Sequence, residues 1–254
     1  MSAYRRWAVI PDTQCRPGVP LQHLEWAGRY IAEKEVDLVV HLGDHWDFPS
    51  LSHWDQGKPK LFEGRRALAD IEAGNKGLEL LTAPIQARDR KRKKKTRRLL
   101  LRGNHEDRLR KAVEANPAQL EGLLDEDRFN DVSLGWEVVP FLKPVTVDGI
   151  GLAHYWYSPR SGKPYGGTAQ YIIQKVGRSF IAGHRQGVDY GFLDVPGGGR
   201  RRSIIAGSFY QHDEEYVGPQ ANDHWRGILI LNEVRDGNFD VCEVSLDYLK
   251  REWS

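Results

Sequence analysis

The stretch Val36-Asp37-Leu38-Val39-Val40-His41-Leu42-Gly43-Asp44-His45-Trp46-Asp47 contains a strand and the polar residues that follow it. The run from Val36 to Leu42 is short, apolar and rich in β-branched residues, which is typical of a strand buried on both faces. Gly43 then allows the backbone to turn sharply, and two carboxylates, Asp44 and Asp47, follow within the turn. The stretch predicts a sheet that presents acidic side chains where its strands end.

Four other apolar runs along the chain are followed by the same kind of polar residue. A segment with helical spacing follows each of the first three strands: Leu21 to Lys34, Leu61 to Leu81 and Glu106 to Ala115. Strands that alternate with helices predict βαβ units, whose ligands bind at the carboxyl ends of the strands. The polar groups after these runs are Asp12-Thr13-Gln14, Gly103-Asn104-His105-Glu106-Asp107, His154 and Gly183-His184-Arg185-Gln186.

The second half of the sequence favours strands, with a hairpin signal at Asp148-Gly149 and a further turn at Asp236-Gly237. A helix is predicted from Thr168 to Val176. Neither an internal repeat nor a linker interrupts the pattern, so we expect one α/β domain over residues 1–254.

Composition excludes several classes of protein. Hydrophobic residues make up 40% and charged residues 28% of the 254 residues, which is typical of a globular chain and not of a disordered one. An apolar run of the length that spans a membrane is missing from the sequence, and the run Trp7 to Ile10 is too short for a signal peptide. We therefore expect a cytoplasmic protein with no membrane partner, and two free thiols at Cys15 and Cys242.

The polar residues at the strand ends form the mixture of carboxylate, imidazole and amide that binds divalent metals. Carboxylates can bridge two ions, and neutral imidazoles complete the coordination. Each element alone has a structural explanation, because a Gly-Asp pair is often a turn and Asn is a good helix N-cap. Five strand ends with the same chemistry have no such common structural explanation.

The ordered set Asp-x-Gln, Gly-Asp-x-x-Asp, Gly-Asn-His-Glu, His and Gly-His-x-Gln resembles the signature of the calcineurin-like metallophosphoesterase superfamily. The resemblance covers positions 12 to 186, and the segment from Lys163 to Gly187 also resembles a branch found in phage and prophage genomes. It implies two β-sheets sandwiched between helices, two divalent ions at the strand ends, and hydrolysis of a phosphate ester by a metal-activated hydroxide. We favour a nucleic acid or nucleotide phosphodiester as the substrate, although the motifs themselves fit monoesters and diesters equally.

The resemblance also assigns roles to individual residues. Asp44 would bridge the ions, with Asn104, His154 and His184 completing one site and Asp12 anchoring the other. His105 would act on the leaving oxygen as a general acid or charge stabiliser, and Asp47 would orient that imidazole.

The sequence departs from the superfamily pattern at two positions that fall on the same ion. Gln14 and Gln186 stand where the superfamily has histidines, and an amide oxygen is a harder donor than imidazole. The Asp12 site should therefore prefer Mn²⁺ or Mg²⁺ over Zn²⁺ and hold its ion more loosely. The alternative is a non-catalytic or one-metal nucleic-acid-binding protein with a degenerate metal site.

A basic segment interrupts an otherwise acidic chain. Residues 88–98 include nine basic residues and one acidic residue, a local charge of +8 against +2 for the whole chain, so the remainder carries −6. We expect a projecting loop that contacts a nucleic-acid backbone, although a solvated loop has the same composition. The candidate contacts are Arg90, Lys91, Arg92, Lys93, Lys94 and Lys95.

Overall fold

The computed structural model describes residues 5–52, 57, 63–197, 199–214 and 222–254. In these residues the chain forms two β-sheets and six helices. The strands are β1 (Trp7–Ile10), β2 (Leu38–His41), β3 (Arg97–Leu101), β4 (Glu137–Val139), β5 (Val145–Val147), β6 (Ile150–Ala153), β7 (Phe180–Ala182), β8 (Val188–Val195), β9 (Gly199–Ala206), β10 (Gly227–Arg235) and β11 (Asn238–Ser245). The helices are α1 (Gln22–Glu33), α2 (Ala67–Arg92), α3 (Asp107–Ala115), α4 (Pro117–Leu120), α5 (Ala169–Val176) and α6 (Leu246–Trp253).

The first sheet has the order β11-β10-β1-β2-β3-β4, and the second has the order β5-β6-β7-β9-β8. Strands β1 to β4 run parallel to one another, as do β6, β7 and β9. The antiparallel strands lie at the edges, where hairpins such as β5–β6 return the chain. The carboxyl ends of the parallel strands in each sheet therefore meet at one edge.

Alternate residues of the central strands enter two different hydrophobic cores. In β1, Trp7 and Val9 pack between the two sheets, whereas Ala8 and Ile10 pack beneath the helices that cover the first sheet. The second sheet is covered on its outer face by α5, through Ile172 and Ile173. The arrangement confirms the predicted α/β sandwich. It also explains why polar and apolar residues do not alternate along these strands, because both faces of each strand are buried.

Most predicted elements are present with small changes at their ends. The first predicted helix appears as α1, and the helix predicted from Thr168 appears as α5, where the Thr168 hydroxyl accepts a hydrogen bond from the Tyr171 amide as an N-cap. The helix predicted over Leu61 to Leu81 is α2, which begins at Ala67 and continues through Pro84 to Arg92. Residues 61 and 62 of that prediction lie outside the described residues.

The prediction of a basic loop over residues 88–98 is wrong. Residues 88–92 form the last turns of α2, and Arg97 already lies in β3. Asp89 holds the short connection closed, because its carboxylate accepts hydrogen bonds from both the amide (2.8 Å) and the hydroxyl (2.7 Å) of Thr96. Several of the cations are also paired, including Arg92 with Glu35.

The basic segment lies at the amino end of β3, whereas Asn104 and His105 follow its carboxyl end. It is therefore at the edge of the sheet opposite to the strand-end polar residues. Within the described part of the chain, no helix is long and apolar enough to cross a membrane. Both cysteines are free thiols, as predicted, with Cys15 buried and Cys242 exposed.

Candidate metal centre

The structure brings the strand-end residues of both sheets to one cleft of about 1300 Å³. Asp12 and Gln14 follow β1, Asp44 and Asp47 follow β2, and Asn104 and His105 follow β3, while His154, His184 and Gln186 follow β6 and β7. The residues that line the cleft include Gln14, Asp44, Asp47, Asn104, His105, His184 and Gln186. Asp12 and His154 are buried beside them.

Asp44, His154 and His184 form the centre of the first donor group. One ligand atom from each lies within 4.8 Å of the others, which fits a single metal ion. The Nε2 atom of His154 also lies 2.9 Å from Asn104 Oδ1 and 3.3 Å from Asp44 Oδ2. The four residues that the resemblance assigned to one ion are therefore close together in the cleft.

The tautomer of His154 explains why this group needs a cation. Its Nδ1 atom lies 2.9 Å from the carbonyl oxygen of Leu42, which can only accept, so Nδ1 carries the proton. In the neutral ring, the Nε2 lone pair then faces oxygen atoms of Asn104 and Asp44. Burial disfavours a charged imidazole, but Asp44 outweighs burial and raises the pKa of His154 to about 9. Either a proton or a metal ion must occupy this position.

The environment of His184 favours the neutral imidazole, which is the form that binds a metal ion. Burial, followed by the neighbouring His154, lowers its pKa to about 4. The Asp44 carboxyl is held ionised, because His105 and His154 outweigh the effect of burial and lower its pKa. Both protonation states are those that metal ligation requires.

A second, oxygen-rich donor group lies beside the first. Asp12 Oδ1 accepts a hydrogen bond from the His184 amide at 2.9 Å, whereas Asp12 Oδ2 and Gln14 Oε1 are buried and have no hydrogen-bond partner among the described residues. Burial and the charge of Asp44 raise the pKa of Asp12 to about 7. Buried oxygens without donors are costly, and a bound cation would satisfy both.

Gln186, which the resemblance assigned to the second ion, lines the cleft and already has a partner. Its Oε1 atom accepts a hydrogen bond from the hydroxyl of Tyr210 at 2.7 Å. Tyr210 in turn stacks on His212. Nothing in the sequence singles out Tyr210, because a buried tyrosine in a strand-rich region has the pattern of an ordinary core residue.

Three of the donor residues also have an uncommon backbone conformation. Gln14, Asp44 and His184 are non-glycine residues in the left-handed region, with φ of 41°, 50° and 71°. Such conformations cost of order 1–3 kcal/mol each and cluster at functional sites. Gly103 is required for a different reason, since a Cβ atom there would lie 2.1 Å from Asp44 Oδ1.

Glu106 joins the loops that carry these donors. Its buried carboxylate accepts four backbone hydrogen bonds: Oε1 from His45 (2.6 Å) and Trp46 (3.1 Å), and Oε2 from Asp44 (3.1 Å) and Gly103 (2.7 Å). The loop after β2 and the loop after β3 are therefore held on one side chain. The motif that contains Glu106 was recognised in the sequence, but this structural role was not.

A buried hydrogen-bond relay links the loop after β1 to the loop after β2 and to α2. Thr13 Oγ1 lies 3.1 Å from His41 Nε2 and 2.7 Å from His45 Nδ1, and His45 Nε2 lies 2.8 Å from the Gly74 carbonyl. The Gly43 amide donates to His41 Nδ1 at 3.2 Å. With both rings neutral, every donor in this relay meets an acceptor. Burial lowers the pKa of both histidines, that of His45 to about 4.

His105 lies at the cleft with a partner on each ring nitrogen. Its Nδ1 atom is 2.8 Å from Asp47 Oδ1, and its Nε2 atom is 2.9 Å from Arg108 Nη2 and 3.6 Å from Asp44 Oδ2. Burial opposes the charged ring, but Asp44 and Asp47 raise its pKa. The contact with Asp47 places that carboxylate where the resemblance implied, while Arg108 was missed because a single arginine in a helix has no distinctive spacing.

Comparison with known proteins connects the chain with phages. No family model matches the sequence. The chain is similar to the Gene 54 protein of Mycobacterium phage D29, with 29% identity in an alignment of 199 residues that covers 72% of this chain and 71% of that protein. It is also 28% identical to the Gene 54 protein of Mycobacterium phage L5 over the same lengths. These names describe no activity, so the phosphoesterase resemblance stays a prediction.

Replacing Glu106 by glutamine should disrupt the loops more than its small change in size suggests. One of the two carboxylate oxygens becomes an amide nitrogen that faces backbone N–H groups, so buried donors lose their acceptor at about 1–3 kcal/mol each. We expect Glu106→Gln to lower the free energy of unfolding and to weaken Mn²⁺ binding, measured by denaturant titration and calorimetry. Glu114→Gln, at an exposed position of α3, is the control. Equal stability and metal affinity in the two variants would contradict this role.

Titration with Mn²⁺ should show two binding events of unequal affinity. The group around His154 offers imidazoles and a carboxylate, whereas the group around Asp12 offers one carboxylate and neutral amide oxygens. We expect Asp12→Asn to abolish the weaker event, and Gln14→His with Gln186→His to tighten it and admit Zn²⁺. Gln174→His, at an exposed position of α5, should change neither event.

Two equally tight events in the wild-type protein would contradict this assignment. Loss of the tighter event in Asp12→Asn would contradict it as well.

Proposed function

We propose that the chain is a metal-dependent phosphoesterase that hydrolyses phosphate esters in this cleft, with nucleic-acid or nucleotide phosphodiesters as the favoured substrates. The observation that supports the proposal is the convergence of two cation-demanding donor groups with His105 at one opening. A metal site with a structural role would not require a titratable imidazole at its exposed side. The similarity to phage proteins is compatible with a substrate of this class but does not identify it.

The donor chemistry fits two divalent ions. Asp44, Asn104, His154 and His184 would hold one ion, and Asp12 and Gln14 would hold the other, with Asp44 between the two groups. Such ions lower the pKa of water and offset negative charge on phosphoryl oxygens. Because most donors of the second group are oxygens, Mn²⁺ or Mg²⁺ suits it better than Zn²⁺.

The protein's own residues would orient the ester and manage the proton of the leaving group. His105 lines the cleft, and Asp47 fixes its ring by accepting from Nδ1–H. A proton on Nε2 would then pass to the leaving oxygen, while the carboxylate of Asp47 offsets the charge of the imidazolium. Asp47 is held in place by Arg16, whose Nη1 lies 3.2 Å from Asp47 Oδ2.

The basic segment is a separate part of the proposal. Because it lies at the edge opposite to the cleft, it would contact a nucleic acid away from the scissile bond. Arg90, Lys91, Lys93 and Lys95 are exposed, whereas Arg92 and Lys94 pair with Glu35 and Asp37. The alternative function, a one-metal or non-catalytic nucleic-acid-binding protein, would retain this contact and lack turnover.

Hydrolysis of bis-p-nitrophenyl phosphate and p-nitrophenyl phosphate with Mn²⁺, Mg²⁺ or Zn²⁺ tests the proposed activity. Asp44→Asn should lose metal and turnover together, because its carboxylate serves both donor groups. His105→Ala should keep its metal and lose about 10²–10⁴-fold in rate, the usual magnitude for general acid–base catalysis. Asp194→Asn, at an exposed position of β8, is the control.

Metal binding without metal-dependent turnover in the wild-type protein would reject the enzyme and favour the non-catalytic alternative. Full turnover in His105→Ala would reject the role of that imidazole alone.

Neutralising the exposed cations of the basic segment tests the nucleic-acid contact. Replacing Arg90, Lys91, Lys93 and Lys95 by glutamine should weaken duplex-DNA binding and reduce the salt slope by about 0.9 for each phosphate that is no longer neutralised. Hydrolysis of the small ester should not change, because these residues are remote from the cleft. The charge-matched control replaces four exposed cations elsewhere: Lys163, Lys175, Lys250 and Arg251. Identical salt slopes for the two variants would remove the basic segment from the proposal.

A further inference from the structure

The guanidinium group of Arg108 contacts the imidazole of His105 at the candidate site. It lies in α3, three residues after His105, and its side chain lines the cleft. The Nη1 atom donates to the carbonyl oxygens of Asp47 (2.9 Å) and Phe48 (3.4 Å), and Nη2 donates to His105 Nε2 (2.9 Å). One half of the guanidinium is thus anchored on the backbone, and the other half rests on the imidazole.

This contact occupies the Nε2 atom of His105. The Nδ1 atom of the ring donates to Asp47, so Nε2 holds a lone pair when it accepts from Arg108. A histidine in that state has no Nε2–H to pass to a leaving oxygen. Arg108 must therefore move away from Nε2 before that nitrogen can contact a leaving oxygen.

The hydrogen bonds of Arg108 also leave its charge weakly compensated. They go to two carbonyl oxygens and to the Nε2 atom of an imidazole, and its ion pair with Asp47 is at 4.0 Å. Arg16, another arginine of the cleft, is engaged by two carboxylates, Asp47 at 3.2 Å and Glu214 at 3.4 Å. An oxyanion would therefore compensate the charge of Arg108 better than its present partners do, whereas the charge of Arg16 is already compensated.

A phosphoryl group would provide such an oxyanion. Guanidinium binds phosphate oxygens through charge-assisted, often bidentate hydrogen bonds, which are about twice as strong as bonds to neutral acceptors. The backbone anchors on Nη1 would keep the guanidinium in the cleft while Nη2 exchanges its partner. Movement of one hydrogen bond would then be sufficient to free His105.

We propose that Arg108 binds the phosphoryl oxygens of the substrate and that its transfer from His105 to the phosphate makes Nε2 available for the leaving group. The inference rests on the proposed phosphoesterase function. It adds a substrate-binding residue and a mechanism by which His105 becomes available only when a phosphoryl group is present. It also predicts that inorganic phosphate alone displaces Arg108.

Binding of inorganic phosphate to the Mg²⁺-loaded protein tests the inference without any turnover. Calorimetry should show that Arg108→Gln weakens phosphate binding by about 10-fold or more, the loss expected for a charged hydrogen bond. Arg108→Lys should recover part of that affinity, and Arg110→Gln, two residues along α3, should bind phosphate like the wild-type protein. The Mg²⁺ affinity of all three variants should equal that of the wild-type protein.

The state of His105 provides an independent measurement. The ¹⁵N resonance of its Nε2 atom should shift when phosphate is added to the Mg²⁺-loaded wild-type protein, and in Arg108→Gln it should already be displaced and respond less. In ester hydrolysis, Arg108→Gln should raise KM by a similar factor to the phosphate dissociation constant.

Unchanged phosphate affinity in Arg108→Gln would overturn the inference, as would a wild-type His105 resonance that ignores phosphate. If Arg108→Gln loses Mg²⁺, the Arg108→Lys variant provides the test instead. Wild-type phosphate affinity and an unchanged KM in Arg108→Lys would count against a role specific to the guanidinium group. Absence of hydrolysis in the wild-type protein, with phosphate binding and its Arg108 dependence intact, would reject the phosphoesterase function and leave a phosphate-binding site.

Discussion

The carboxylate of Glu106 is the interaction on which the candidate site depends. It is buried, and it accepts hydrogen bonds from backbone amides of two loops that are about 60 residues apart in sequence. Burial, followed by Asp44, raises the pKa of Glu106, so its ionised form relies on these donors and on the nearby Arg102. A charged acceptor in a poorly solvated interior binds amides strongly but is costly when they are absent. The loops after β2 and β3 are therefore held together, and in that arrangement Asp44 lies beside His154 and His105.

The sandwich separates two kinds of chemistry along the strand direction. The carboxyl ends of the parallel strands converge on carboxylates, amides and imidazoles, which create a demand for cations. The amino ends carry cations, with Arg5 and Arg6 before β1, the basic segment before β3 and Arg178 before β7. Because the strands are only three to five residues long, the two regions are separated by a few residues in sequence and by the full depth of the sheet in space. Proximity in sequence to Asn104 therefore does not place the basic segment at the cleft.

The two donor groups differ in how their charge is balanced. Around His154, a proton can replace a metal ion, since Asp44 raises the pKa of that imidazole. Around Asp12, burial and Asp44 raise the pKa of the carboxyl group itself. Gln14 adds a buried amide oxygen, which is neutral and does not titrate. A metal ion would therefore compete with a proton for an imidazole in the first group and for a carboxylate in the second. This difference arises because the second group has glutamine amide oxygens, whereas the first group has basic imidazole nitrogens.

The layer architecture could be predicted from the sequence, because continuous apolar strands such as Trp7 to Ile10 have to be buried on both faces. Within each sheet the residues of the site could also be predicted, because parallel strands end at one edge and five of those strand ends carry a metal-binding type of side chain. That both sheets bring these edges to one cleft required the tertiary structure. The course of α2 through Pro84 and the closure of the basic segment by Asp89 required the tertiary structure, because both depend on contacts that have no periodic pattern. The same is true of the Glu106 anchor, the Tyr210 contact with Gln186 and the Arg108 contact with His105. Residue type and spacing indicate which groups are present, but only the packed structure decides which lone pair faces which donor.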